Sequence, residues 1–367
     1  MNAAKDCTLQ EKLLRCAMAL LLAAGALLAS VAASPAYAAP STVDVSIGGK
    51  IPYGGFATTW MSADGNIAYC AEPSSPTPAP GSYSTSPVPS GDVTAAIWYS
   101  FGSPGFDASM FPGSWYDGGG WDDAKYAAAS HVLIAYAYSG SESAAAHGTS
   151  AEFASWAKSE LIGGTYSRMK AGAGKVSAGF DAFCVRTGGG SQTLVSFSWS
   201  TGGVKVAKTD SEAGAEPQGD ATLDGAKYDI VNASGQYAFV DGRYYASGEV
   251  VKTITGKWDG DAGAFVAKTS ASALPCGTYT VVESQAPEGY LVSDWSAKAE
   301  IKSDGQMVDL TGNPCGDDVI RGGVQVTKSD VELRASEALG GNSHDALETG
   351  STLSGIEFTI ANASEHK

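Results

Sequence analysis

The chain has 367 residues, 39 acidic and 23 basic, for a formal net charge of −16. Such a surface repels nucleic acid and anionic lipid, and no basic cluster relieves it, so nucleic-acid binding is excluded as a function class. The length allows two or three domains. Abundant Gly, Ser, Thr, Ala and aromatic residues, with few long helical patterns, imply a mainly β fold.

The chain opens with Lys5, Lys12 and Arg15 ahead of an apolar run from Ala17 to Ala33, and Ala36-Tyr37-Ala38 supplies a small-x-small cleavage site. That order reads as a secretory signal peptide over residues 1–38 rather than a membrane anchor, because the run is short for a span. The mature chain is therefore expected to be secreted, in a compartment where disulfides persist. Cys7 and Cys16 leave with the leader, and Cys70, Cys184, Cys276 and Cys315 remain. Four cysteines allow three pairings. Neighbourhood along the chain favours Cys70 with Cys184 and Cys276 with Cys315. The four histidines lack metal-ligand spacing and no Gly-rich phosphate motif appears, so neither a metal nor a cofactor is expected.

Residues 45–200 combine short β-like pieces ("STVDVSI", "IAYCAEP", "VTAAIWYSFG", "QTLVSFSW") with two helical ones. The first helix is expected over 122–138, capped by Asp122 or Asp123 and stopped by Gly140. The second, "TSAEFASWAKSEL", opens with Thr149 and Glu152 at capping-box spacing. The Pro- and Ser-rich stretch 72–91 reads as a surface loop. The order "AYCAEP", "AAIWYSFGSPGFD", "AAASHVLIAYAY", "SQTLVSF" resembles the thioester domain of Gram-positive adhesins. In that family a strand Cys bonds to a helix Gln and the thioester captures host nucleophiles. The resemblance places the Cys at Cys70 and finds His131 where the helix Gln should stand, while Gln192 falls on a terminal strand. Three readings of Cys70 and His131 stay open. Cys70 pairs with Cys184 while His131 is a core residue; or the domain binds a ligand non-covalently near Trp98, Tyr99, Trp115, Tyr116 and Trp121; or Cys70 and His131 form the thiol–imidazole dyad of an exported hydrolase.

Two stretches downstream repeat. "GGVKVAKTD" at 202–210 and "ATLDGAKYDIVNAS" at 221–234 return as "GGVQVTKSD" at 322–330 and "STLSGIEFTIANAS" at 351–364. This marks a tandem β domain whose second copy, 322–367, stops after its early strands and reads as truncated. Strand alternation puts Lys208 in phase with Val204 and Val206, Lys328 with Val324 and Val326, and Glu283 with Tyr279 and Val281 in "TYTVVESQAPEGYL". A buried lysine is the complement that a buried carboxylate needs. "VKVAKTD", "TLDGAKYDI", "LPCGTYTVVESQAPEGYL" and "DGQMVDLTGNP" resemble the successive signatures of the Cna B-type (SpaA-type) domain over 203–315. The resemblance implies an immunoglobulin-like β-sandwich welded by an isopeptide bond between a first-strand Lys and a last-strand Asn or Asp. Mapped onto this chain it makes Lys208 the nucleophile, Glu283 the proton shuttle and Asn313 the acceptor, with Asp309 in reserve and Lys328 in the second repeat. Burial favours a neutral, nucleophilic amine and a protonated acid, and fixed placement supplies effective molarity.

The expectation for the whole is a mainly β secreted surface adhesin or pilin-like structural protein. A thioester-domain-like tip with two helices would face a host or environmental ligand, protein or glycan. Immunoglobulin-like sandwich repeats would hold it away from the cell, and a region beyond Lys367 would attach it to peptidoglycan. Its bond chemistry would run once, without turnover, so it is not expected to be an enzyme. The alternative is a cysteine hydrolase carried on the same stalk.

Overall fold

The computed structural model describes residues 39–327 and 357–361. The leader, Lys328 and most of the second repeat lie outside the described residues.

Strands β1 (Thr42–Tyr53), β2 (Phe56–Ala63), β3 (Asn66–Cys70), β4 (Gly81–Pro87), β5 (Phe180–Arg186) and β6 (Leu194–Trp199) close into an antiparallel barrel in the order β1-β2-β3-β6-β5-β4. Closure removes exposed sheet edges. Helices fill the connection between β4 and β5: α1 (Gly91–Trp98), α2 (Asp123–Ser139) and α3 (Ala151–Trp156). The Asp122 side chain caps α2 by accepting from Lys125 N, and Gly140 ends it in the left-handed region at φ 69°. Ser150, one residue past the expected Thr149, caps α3.

Two segments differ from expectation. "AAIWYSFG", read as a strand, contains the end of α1, whose Val93, Ala95, Ala96, Ile97 and Trp98 are all buried. A short apolar run fits a buried helix as well as a buried strand. Residues 81–87, inside the stretch read as a loop, form β4 between β1 and β5. Their serines carry no apolar alternation to announce a strand.

The second unit is a sandwich. β7 (Thr201–Asp210) and β8 (Lys227–Asn232) are followed by the hairpin β9 (Ala238–Val240) and β10 (Arg243–Tyr245). Then come β11 (Val250–Thr255), β12 (Lys257–Asp259), β13 (Ala264–Lys268), β14 (Leu274–Pro275) and β15 (Gly277–Gln285). β16 (Tyr290–Leu291), β17 (Ser296–Ile301), β18 (Gln306–Asp309) and β19 (Cys315–Val319) complete it. One sheet runs β11-β8-β15-β17 and the other β12-β13-β7-β19-β16, with β14 and β18 also on β7. The last strand, β19, lies parallel to the first, β7, with Cys315 opposite Lys208. Val204, Val206, Tyr228, Ile230, Tyr279 and Val281 fill the space between the sheets. The Gly202-Gly203 pair permits close packing, since a Cβ on Gly202 would stand 2.4 Å from Ile301 Cγ2.

The two units touch through the β9–β10 hairpin. Trp98 Nε1 donates to the Tyr244 hydroxyl at 3.0 Å, and Phe239 N donates to Ser177 Oγ at 2.9 Å. Beyond β19, the strand expected at 324–328 is not formed over residues 321–327. Val324 and Val326 are 69% and 50% exposed, against 0% for Val204 and Val206. Among the described residues no strand pairs with this segment, so alternation there has no buried face to fill.

Candidate functional site

Alternation along β7 carries the Lys208 side chain into the sandwich, and alternation along β15, in the facing sheet, points Glu283 back at it. Both side chains are fully shielded from solvent. Lys208 Nζ stands 3.9 Å from Glu283 Oε1 and donates to the carbonyls of Thr209 and Cys315, each at 3.0 Å. The Glu283 Oε2 atom accepts from Ser293 N at 2.9 Å and Ser293 Oγ at 3.0 Å. Its Oε1, on the amine side, has no hydrogen-bond partner.

The third member is Asp317. Its Oδ2 lies 3.0 Å from Lys208 Nζ yet outside hydrogen-bond geometry, and its side chain is fully shielded. Burial raises the proton affinity of the Glu283 carboxyl, and the facing Asp317 carboxyl raises it further. The Ser293 backbone N–H and the Lys208 amine oppose this without reversing it. A carboxyl of raised proton affinity beside an amine and a second carboxyl is equipped to move a proton between them.

Asn313 and Asp309 are not at this site. Asn313 sits exposed in a turn, and its carbonyl accepts from Trp295 Nε1. Asp309 lies on the outer phase of β18, with its side chain 51% exposed and paired to Lys205 at 2.9 Å. The Thr311 hydroxyl first, then Lys205, hold its carboxyl down at about 2. The acceptor phase starts afresh after Pro314. Cys315 and Asp317 point inward and Asp318 outward. The signal that would have found Asp317 is its two-residue spacing from a buried cysteine.

Donor atoms of Glu283, Cys315 and Asp317 lie within 4.8 Å of one another, close enough for a metal ion. The Lys208 amine stands in the same cluster, 3.0 Å from Asp317 Oδ2 and 3.9 Å from Glu283 Oε1. Lys328 lies outside the described residues.

In the barrel, Cys70 ends β3 at 6% exposure, and His131 projects from α2 at 2%. His131 Nδ1 accepts from Cys70 N at 3.0 Å and sits 3.3 Å from Thr58 Oγ1, which is 3.4 Å from Cys70 Sγ. Burial depresses the imidazole to about 3, leaving it neutral. Burial also pushes the Cys70 thiol up to about 11, against hydrogen bonds from Thr58 and Gln192. A hydrolase dyad needs the reverse, a lowered thiol and an imidazole nitrogen free to serve it. Cys70 and His131 are therefore not built as one.

Gln192 is the residue at the thiol. It precedes β6, and the register that puts Cys70 opposite Leu194 brings the two together. Its side chain is buried at 2%, with Oε1 unpartnered and Nε2 3.5 Å from Thr77 Oγ1. His131 stands on the helix where a Gln was expected, and the glutamine that meets Cys70 is Gln192, just before β6. The aromatics Trp98, Tyr99 and Trp115 are buried core rather than a ligand face.

Among the described residues Cys70, Cys184, Cys276 and Cys315 are free thiols. Cys184 pairs with Val195, which pairs with Tyr69 on its other side, so β6 separates Cys184 from Cys70. Two strand spacings of roughly 10 Å exceed the Cα reach of a disulfide. Cys276 lies at the Ser200 end of β7 and Cys315 at its Lys208 end, most of a strand length apart.

Residues 42–168 match the family model described as a thioester domain, and residues 202–314 match the SpaA family, described as a prealbumin-like fold domain. Among solved structures the chain is similar to the Bacillus anthracis TIE protein, at 13% identity and TM-score 0.29 over 76% of this chain and 66% of that one. It is similar to the group B streptococcus pilus 2b backbone protein at 22% identity and TM-score 0.24, over 38% and 50%. The thioester domain of the Enterococcus faecium TIE86 protein gives 13% identity and TM-score 0.27, over 66% and 82%. The chain thus spans about two thirds of the first of these proteins and half of the second. No curated protein matches it.

Proposed function

From a chain that joins a thioester-family domain to a SpaA-type prealbumin-like domain, we propose a secreted, wall-attached adhesin of pilin-like build, with one self-formed bond in each domain. The carrying observation is the buried Lys208 amine held 3.0 Å from Asp317 Oδ2 with Glu283 facing both. Nζ attacks the Asp317 carboxyl carbon, Glu283 relays a proton to the departing oxygen, and one water leaves as the amide forms. The acceptor is thus Asp317, in place of Asn313, and the leaving group is water rather than ammonia. Such a bond ties the first strand to the last beyond the reach of reductants.

In the barrel, Cys70 Sγ attacks the Gln192 side-chain carbonyl carbon and ammonia leaves, giving a thioester. A nucleophile on a host or environmental surface molecule, such as a lysine amine, then takes the acyl group and regenerates the thiol. The buried Gln192 side chain, which hydrogen-bonds the thiol and leaves its Oε1 unpartnered, supports this reading. Each bond forms once per molecule, so the activity is attachment and reinforcement rather than turnover.

Intact mass tests both bonds. The parent is expected to be lighter than its mature sequence by one ammonia plus one water. Cys70→Ala restores the ammonia alone and Lys208→Ala the water alone, and added methylamine shifts only proteins that keep Cys70. An unchanged deficit in Lys208→Ala removes the assignment of the nucleophile.

A further inference from the structure

Lys208 and Asp210 stand two residues apart on β7 and are 1% and 2% exposed. The spacing recurs in sequence as Lys328 and Asp330, although the residue between changes from Thr to Ser. Asp210 shares the face of β7 that carries Lys208 and builds its own hydrogen-bonded structure there. Its Oδ1 accepts from Glu212 N at 2.8 Å and Ala213 N at 2.7 Å, and both its oxygens take Gln218 Nε2 at 3.0 Å. Its Oδ2 accepts the Tyr290 hydroxyl at 2.8 Å. The Tyr290 ring in turn lies with its centroid 5.8 Å from Lys208 Nζ.

The amine is thus enclosed from two directions. Carbonyls of Thr209 and Cys315 and the Asp317 carboxylate hold one side, and the Tyr290 ring stands on another. We propose that the Asp210–Tyr290 hydrogen bond is a positioning device for amide formation, fixing the phenol ring as the wall that keeps Nζ against Asp317 and keeps water out. It rests on the Lys208–Asp317 bond proposed above. A lysine side chain has four rotatable methylenes, and the gain from proximity is realised only when its nitrogen is confined near the carbonyl carbon. A buried ring tied at its far end confines it better than a loose one.

The polarity of the tie is fixed. Burial works to raise the Asp210 carboxyl, but the N–H groups of Ala213 and Glu212 with Gln218 and Tyr290 outweigh it and leave it below the ordinary range. Burial above all pushes the Tyr290 phenol up to about 12, so it keeps its proton and donates across the neutral range. The backbone cooperates. Gly289 turns at φ +89°, and a Cβ there would stand 2.5 Å from Ala221 Cβ, so a glycine is what lets Tyr290 swing inward.

The test follows bond formation in the full chain made by cell-free synthesis, reading the water loss by intact mass against time. Tyr290→Phe and Asp210→Asn are each expected to slow the step roughly ten-fold, as loss of one charge-assisted buried hydrogen bond would. The double variant should be no slower than either single, because both remove one interaction. The pH profile of the rate should fall in height and keep its midpoint, since Glu283 is untouched. Thermal unfolding in an Asp317→Ala background, which cannot bond, shows that each variant is folded at the assay temperature. Singles that keep pace with the parent, effects that multiply in the double, or a moved midpoint overturn the positioning role alone. A parent that never loses water overturns the bond itself, and this proposal with it.

Discussion

A buried carboxyl beside a buried amine can persist as an ion pair or be consumed in an amide. Desolvation makes the ion pair a poor stabiliser unless every lone pair is satisfied. At Lys208 they are not: Glu283 Oε1 and Asp317 Oδ2 both lack hydrogen bonds. The amide proposed above would dispose of the amine and one carboxyl together. Asp317→Ala is therefore expected to lose more than a contact. It removes the proposed cross-link, which would enclose about a hundred residues and, by analogy with a disulfide of that loop length, contribute about 5 kcal/mol. Denaturant titration of the second domain checks the loss. His131 shows the opposite economy, a basic group buried neutral. Its folded value of about 3 lies below the free value of 6.5, so the unfolded chain binds the proton first. Stability is whole above pH 6.5 and falls as pH drops towards 3, at roughly 1.4 kcal/mol per pH unit from this group. His131→Asn keeps an acceptor for the Cys70 N–H and should flatten that component, measured as the difference between the two proteins' acid unfolding curves.

At the scale of single elements, alternation made part of the site legible. Lys208 and Glu283 each share a face with core residues of their own strands, and the structure buries both. Asp317 escaped because the resemblance points to Asn313 in "DLTGNP", and a turn with Asn313 N bonded to Leu310 O separates that segment from the strand that carries Asp317. Gln192 escaped for a different reason. Its approach to Cys70 depends on which strands are neighbours in a closed barrel, and nothing local to either residue encodes the pairing of β3 with β6. The helix boundaries were legible where a cap and a glycine stop bracket the segment, as in α2, and not where a short apolar run stands without them, as in α1. The turn before β16 is a place where one glycine decides an element. Gly289→Ala meets both the positive φ and the Ala221 side chain. It is expected to destabilise the second domain by about 2 kcal/mol or more. The amide should also form more slowly, seen as a residual unreacted mass in freshly made protein.

Across the whole molecule the question is how load passes from the barrel to the sandwich. A captured ligand would pull on Cys70 or Gln192 in β3 and before β6, and the chain leaves the barrel through Trp199 directly into β7, the strand that bears Lys208. Force thus enters the sandwich on the strand that the proposed amide would join to β19. The joint itself is packed rather than loose. Trp98 of α1 meets Phe239 at 5.5 Å and Tyr244 at 6.4 Å between ring centroids, and Ala178 N donates to Tyr237 O at 2.8 Å. The β9–β10 hairpin therefore belongs to the sandwich by sequence and to the barrel's aromatic cluster by packing. Phe239→Ala should cost the barrel stability although the residue lies outside it, by about 1–3 kcal/mol for a partly buried aromatic. Calorimetry of the full chain would show the barrel transition moving down while the sandwich transition holds, and an unmoved barrel transition would mean that the hairpin's aromatic rings do not support the barrel.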